Sequence, residues 1–388
     1  MRTAKWQRGF SLLELMVASS IGLVVILAMT SLFKMGMDAT FTVTQRAETQ
    51  QNMRSAIELM TKDISLAGAG LPSGGLQLVS GGARSNFACN QTGTCYVPAN
   101  TYPNSGAGTP NYMYGILPGF NNGVQNGVAI PNAPGQINSS ITSIYCDYNF
   151  PLSNFTFTFP TTTSANVAVV NGAAQPNNIL APGGLNVGDL LLFIVSTPGN
   201  GTGSIGTSSV QNAAVVAEIT GIPNNTSISF ATADALNFNQ TGAGNSNNLA
   251  SVSAAIAAGG GKAQTTVCRL NAVTYFLQVP PAGGTVQTPR LMRQVNGYDA
   301  VPVADNIINL QFTYDVINFT TGRVDANLAD PIAAGQSPGL IQKVNIWIMA
   351  QSLTLGGNKS QNMYLATSVS ARDMSFCNSY SASATVCQ

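Results

Sequence analysis

Glu14 is the residue whose surroundings most need a chemical account. It stands four residues after Phe10, with Gly9 before that Phe, and it directly precedes an uncharged apolar run, Leu15–Phe33. A carboxylate beside such a run is costly, by a few kcal/mol near a bilayer centre and by less toward the interface. It therefore calls for a cationic partner. Cutting the chain after Gly9 would create one, the α-amine of Phe10, whose reference pKa of about 8 keeps it mostly charged at neutral pH. Within one helix that amine and Glu14 lie about one turn apart. Between staggered helices, the amine of an incoming chain could meet the Glu14 of one already placed. Desolvation strengthens that attraction, so the pair would act as a register device.

The remaining chemistry is sparse. Histidine is absent, which removes the Ser-His-Asp triad, the Cys-His pair and imidazole metal sites. The six cysteines, Cys89, Cys95, Cys146, Cys268, Cys377 and Cys387, include no C-x-x-C pair. An even count in an apparently exported chain favours disulfides, and fifteen complete pairings are open. Cys89 with Cys95 would close a small loop. Asp147, Asp189, Asp299, Asp305 and Asp373 are scattered and form no calcium loop. Gly259-Gly260-Gly261-Lys262 offers the end of a phosphate-binding loop, but Ile256 stands where its first Gly belongs and Ala263 replaces its Ser or Thr. No catalytic residue, metal or cofactor is expected. With 388 residues, 8% charged and a net charge of +1, the chain has no field for nucleic acid, and its strand aromatics read as core.

The elements that must place Glu14 begin with the apolar run itself. Nineteen residues at ~1.5 Å each cover about 28 Å, close to the ~30 Å of a bilayer core. Arg2, Lys5 and Arg8 precede it without an acid, so the positive-inside rule keeps them in the cytoplasm and sends the rest outward. A secretory signal would have a shorter apolar region and a small-x-small site after it; an ordinary signal anchor fits the length but leaves Glu14 unexplained. Beyond Lys34 the pattern turns amphipathic, with Met53, Ile57, Met60, Ile64 and Ala67 on one face and Arg54, Glu58 and Lys62 as a charge ladder on another. Gly68, Gly70 and Pro72 stop it. The expectation is one helix from about Ser11 to Ala67, about 85 Å long.

Residues 68–180, rich in Gly, Asn, Pro, Ser and Thr, read as long loops with short strands such as Ser153–Phe159. From 181 onward strand signals are regular: Val187–Val195, Ala213–Ile219, Thr226–Phe230, Ala272–Val279, Arg290–Val295, Ile307–Val316, the alternating Val344, Ile346 and Ile348, and Met363–Ala371. Ile308, Leu310, Phe312 and Tyr314 share one face. The predicted fold is α+β, an antiparallel sheet packed on the amphipathic half of the long helix. The expected divisions are a leader 1–9, the long helix 10–67 with its membrane segment at about 15–33, a loop-rich part 68–180 and a β-rich core 181–388.

The run Arg8-Gly9-Phe10-Ser11-Leu12-Leu13-Glu14-Leu15-Met16-Val17-Ala18 resembles the class III signal of type IV pilins and type II secretion pseudopilins. The resemblance implies cleavage after Gly9 by a prepilin peptidase, N-methylation of Phe10 and an assembly role for Glu14. The segment Arg54–Gly68, with Asp63-Ile64 and Ala67-Gly68, is similar to PilW-type minor pilins and the related J-type pseudopilins; Met60 and Ser65 depart from their pattern. Thr274-Tyr275-Phe276, Leu291-x-Arg293, Asn306–Tyr314, Lys343–Ile348 and Ser368–Asp373 extend that likeness. It implies a pilin-like fold and a Cys377–Cys387 bridge at the C-terminus, which leaves Cys146 and Cys268 over. The implied function is a structural, non-enzymatic minor pilin that helps initiate or cap a type IV pilus. Its implied partners are other pilin subunits through the N-terminal helix, the prepilin peptidase, and the inner-membrane assembly platform. The chain would begin as a single-pass inner-membrane prepilin with its head outside the cytoplasm. The alternatives are a J-type pseudopilin at the tip of a type II secretion pseudopilus and, from another class, a membrane-anchored extracytoplasmic binding protein or enzyme.

Overall fold

The computed structural model describes residues 9–72, 75–78, 86–97, 112–128, 130, 135–172, 175–196, 213–240, 248–259, 264–279, 288–318, 320–352, 361–371 and 373–374. Its first element, α1, runs Leu12–Ser65, 54 residues in one helix. Ser11 caps it in an extended conformation, and Gly68 (φ +89°) turns the chain away after it. Gly115 lies so close to Gly68 that a Cβ there would strike its main chain, so the helix exit fits against the sheet only with glycine in that place. Main-chain bonds from Gly68 N to Ile144 O (2.9 Å) and from Cys146 N to Ala69 O (2.8 Å) complete that junction.

The strands are β1 (Leu76–Gln77), β2 (Tyr112–Met113), β3 (Ile116–Gly119), β4 (Ser140–Asp147), β5 (Phe155–Thr161), β6 (Ser164–Val169), β7 (Leu190–Ser196), β8 (Ala213–Glu218), β9 (Gly221–Asn224) and β10 (Ser227–Ser229). A second helix, α2 (Leu249–Gly259), precedes β11 (Gln264–Gln278), β12 (Arg290–Val295), β13 (Val301–Asp305), β14 (Ile307–Ile317), β15 (Val324–Leu328), β16 (Ile341–Ser352) and β17 (Gln361–Ser370). Apart from the short β1–β2 pair, they form three antiparallel sheets. One has the order β13-β12-β11-β4-β3, with β7 also on β11 and β8 on β7; the others are β5-β6-β10-β9 and β15-β14-β16-β17. The 15-residue β11 is the common strand: β7 pairs along Gln264–Leu270, β12 along Val273–Gln278, and β4 across Arg269–Tyr275.

The core explains the arrangement. Met53, Ile57, Met60 and Ile64 of α1 are buried with Leu310, Phe312, Ile346 and Ile348 of one sheet and Tyr275 and Leu291 of another. Each such side chain contributes roughly 1.5–3 kcal/mol when fully buried. The fold is thus the predicted α+β, pilin-like one: a long helix, apolar at its start, packed with antiparallel sheets. Arg54, Glu58 and Lys62 lie exposed on the other side. A second core gathers Phe157, Phe193 and Phe230, ring centroids 5.7 and 5.9 Å apart in edge-to-face pairs, under Val252 and Ala255 of α2.

Candidate functional site

The N-terminal part of the site is a bare helix end. Gly9 and Phe10 are exposed, Phe10 to 81%, and nothing from Leu12 through Glu48 is buried by the head. Ser11 Oγ accepts the Glu14 N–H at 3.2 Å, and Ser11 O accepts from Glu14 N and Leu15 N, both at 3.1 Å. Ser11-Leu12-Leu13-Glu14 therefore has the spacing of a capping box, with the acid in the first turn, where the helix dipole favours negative charge. Sequence reasoning missed this, although the S-x-x-E spacing was legible. Within the apolar run, Ser19, Ser20 and Thr30 turn their hydroxyls back onto the carbonyls of Met16, Val17 and Ile26 at 2.9–3.0 Å, which satisfies those three donors within the helix. Across the end of the run, Leu32, Phe33, Gly36, Met37, Thr40 and Phe41 line a shallow apolar groove. Residues 1–8, with Arg2, Lys5 and Arg8, lie outside the described part.

The other end of α1 carries a buried polar lock. Asp63 is only 2% exposed. Its Oδ1 accepts from Tyr145 Oη (3.0 Å) and Arg293 Nη2 (3.2 Å), and its Oδ2 from Tyr275 Oη (2.6 Å) and Arg293 Nε (2.8 Å). Tyr275 and Arg293 sit directly opposite one another on β11 and β12, and Tyr145 comes from β4. Burial first, and then the Asp63 charge, pushes the Tyr145 hydroxyl up to about 12 and Tyr275 higher still. Burial works against the Arg293 charge, but the hydrogen bond and charge of Asp63 outweigh it, so Arg293 is held more firmly protonated. Two phenols and a guanidinium thus fill the lone pairs of one carboxylate, the condition under which a buried ion pair is tolerated.

Two disulfides tie the head. Cys89 and Cys95 are joined across six residues, and Cys146 on β4 is joined to Cys268 on β11 across 122. Cys377 and Cys387 lie outside the described residues. Next to the second bridge, Arg269 donates to Asp147 (Nε to Oδ2, 3.1 Å) and to the carbonyls of Gly183 and Gly184 (both 3.0 Å). Asp189 accepts from Tyr298 Oη (2.8 Å), and Asp299 from Asn90 Nδ2 (2.7 Å). Asp305 pairs with Arg290 at 2.8 Å. Asp147 and Asp189 thus meet at Arg269, whose Nη1 lies 3.8 Å from Asp189 Oδ2, while Asp299 and Asp305 have partners of their own. Among the described residues no group of three or more His, Cys, Asp or Glu is placed to hold a metal. Lys262 and Ala263 lie outside the described residues.

An acid pair that the sequence did not single out lies beneath the loop after β10. Glu218 and Asp234 are 2% and 6% exposed. Glu218 Oε2 accepts from Leu236 N (3.2 Å), while Asp234 accepts from Phe238 N (2.7 Å) and Asn239 N (3.1 Å). Burial foremost, then the neighbouring Asp234, pushes Glu218 up to about 8. Asp234 is raised by burial too.

Residues 7–30 match the prokaryotic N-terminal methylation motif. No curated protein and no solved structure matches the chain. The motif begins two residues before Gly9 and covers Glu14 and most of the exposed apolar helix. Together they support a type IV pilin- or pseudopilin-like protein, structural in class and held in the membrane by a single pass. The motif also implies processing by a prepilin peptidase and assembly with other pilins.

Proposed function

We propose that the chain is a minor pilin of a type IV pilus, inserted through α1 and placed at the filament tip, where it helps initiate or cap the fibre. The observation that carries this reading is the division of α1. Its first 37 residues, Leu12–Glu48, expose an apolar surface with a groove at Gly36, while its last turns are locked into a large head. A membrane holds the bare half first, and neighbouring helices replace lipid in the filament. In this reading cleavage after Gly9 frees the Phe10 amine, which is methylated and pairs with a neighbour's Glu14. A head of three sheets on one helix is bulky for a tightly repeating lattice, which favours a low-copy place at the end.

N-terminal sequencing of the mature protein tests the first step, with Phe10 as the expected start; an intact Met1 would remove the basis of the reading. Glu14→Ala should be exported and processed normally yet reach sheared filaments at a small fraction of the wild-type amount. Normal incorporation would refute the register role. Deleting the chain should abolish surface pili while leaving type II secretion intact; the reverse would place it in a pseudopilus.

A further inference from the structure

The two free edges of the sheet β15-β14-β16-β17 are built differently. β17 pairs with β16 in unbroken register from Ser352↔Gln361 to Lys343↔Ser370. The bond from Ala371 N to Gln342 O (3.3 Å) continues that register and fixes its phase. Odd-numbered residues of β17 bond to β16, so the N–H and C=O groups of Asn362, Tyr364, Ala366, Ser368 and Ser370 turn to the open side. Those are the exposed residues of the strand, Tyr364 to 61%. Among the described residues no main-chain group pairs with this edge.

Long free edges are normally blunted by proline, charge or a bulge. The other edges of the three sheets follow that rule. β3 carries Pro118, β5 Pro160, β9 Pro223 and β13 Pro302; β8 is buried throughout. β15 holds Asp325, a register shift, and Asn327 at φ +57°. β17 alone offers ten residues without a proline, a glycine or a charge.

We propose that the β17 edge receives an extended, uncharged strand from a different subunit of the same filament. The proposal rests on the pilin reading above. A row of unpaired amides and carbonyls is satisfied by another extended backbone, and the neutrality of β17 favours a neutral strand. A second copy is a poor occupant. Pairing β17 with itself requires a two-fold axis through the sheet, and α1 lies against the face of that sheet. The axis would reverse α1, whereas helices sharing a membrane and a filament run the same way. Pairing β17 with β15 of a parallel copy meets the charge and bulge of β15. The fold thus accepts one neighbour at this edge and does not propagate itself.

The test uses the full-length chain in cells that assemble the filament. A photo-crosslinking residue at position 366 should capture another filament subunit. Ala366→Pro removes an outward N–H without touching the β16 ladder, and Ala366→Lys adds a charge while leaving the backbone intact. Each should lower the amount in sheared filaments about tenfold, with the melting temperature of the detergent-purified chain unchanged. If Ala366→Pro is destabilised, Ala366→Lys decides. A crosslink between two copies, one within the chain, or incorporation of both variants at the wild-type level overturns the proposal. Wild-type protein present in filaments under those results leaves the pilin reading standing; wild-type protein absent from filaments and starting at Met1 overturns both.

Discussion

Leu12–Glu48 and Thr49–Ser65 are one unbroken helix, yet they answer to different surroundings. In the first stretch no residue is buried, and from Leu15 through Phe33 the side chains are uncharged, with Ser19, Ser20 and Thr30 turning their hydroxyls onto the helix. In the second, Thr49, Met53, Ala56, Ile57, Met60, Asp63 and Ile64 form a buried face. The head therefore stabilises only the second stretch, and the first depends on lipid or on other helices for its burial. An element made this way can change partners at one end without disturbing the other.

The comparison breaks most sharply at Asp63. Asp63→Ala leaves the Arg293 charge and two phenols beneath the helix without their acceptor, and removing one partner of a buried ion pair costs about 3–5 kcal/mol. Chemical denaturation of the detergent-solubilised chain should show that loss, with helicity of the first stretch retained. An unchanged midpoint would mean that apolar packing alone holds α1. Opening the Cys146–Cys268 bridge as a double Ser variant should cost about 2–4 kcal/mol, because 122 residues of the unfolded chain are released from one closed loop. Cys89–Cys95, closing only six residues, should matter less.

How much of this was legible follows from physical pattern. The helix was readable because each half has its own periodicity, and β14 because Leu310, Phe312, Tyr314 and Val316 alternate with half-buried polar residues. β4 was not, because all eight of its residues are buried and no alternation survives. α2 was missed because Leu-Ala-Ser-Val-Ser-Ala-Ala-Ile-Ala-Ala-Gly carries no charges and leads into a glycine run. β11 was seen only from Ala272, since its first half serves a different neighbour, β7. Asp63 and Arg293 were each noticed within motifs, but 230 residues of separation hid their contact. Glu218 and Asp234 gave no signal, for their meeting depends on how the loop after β10 returns over β8.

That acid pair gives the stability of the head a dependence on pH. Glu218 has its protonation raised from an ordinary 4.5 to about 8, so the folded state holds a proton that the unfolded state releases. Its contribution is complete below pH 4.5 and is lost as pH rises from there through 8. The loss should be a few kcal/mol, at most about 5, and the loop carrying Leu236 and Phe238 should become the first protease-sensitive site. Glu218→Gln should flatten the fall in stability between pH 5 and 9. Equal slopes for the two proteins would show that the pair does not hold that proton.

The smallest expected effect separates two accounts of Glu14. Ser11→Ala removes a cap worth about 0.5–2 kcal/mol, so amides at the start of α1 should exchange faster in micelles while the melting of the head stays put. Glu14→Gln goes further, because glutamine can still occupy the third position of a capping box but carries no charge. If Glu14 serves the helix end, Glu14→Gln should enter filaments almost normally and Ser11→Ala should share whatever defect Glu14→Ala shows. If it pairs with the Phe10 amine of a neighbour, Glu14→Gln should fail as Glu14→Ala does, and Ser11→Ala should be nearly silent in assembly. The second outcome is the expected one. A cap stabilises a helix that already exists, whereas an acid at the head of an exposed apolar run matters most when another chain brings the charge to meet it.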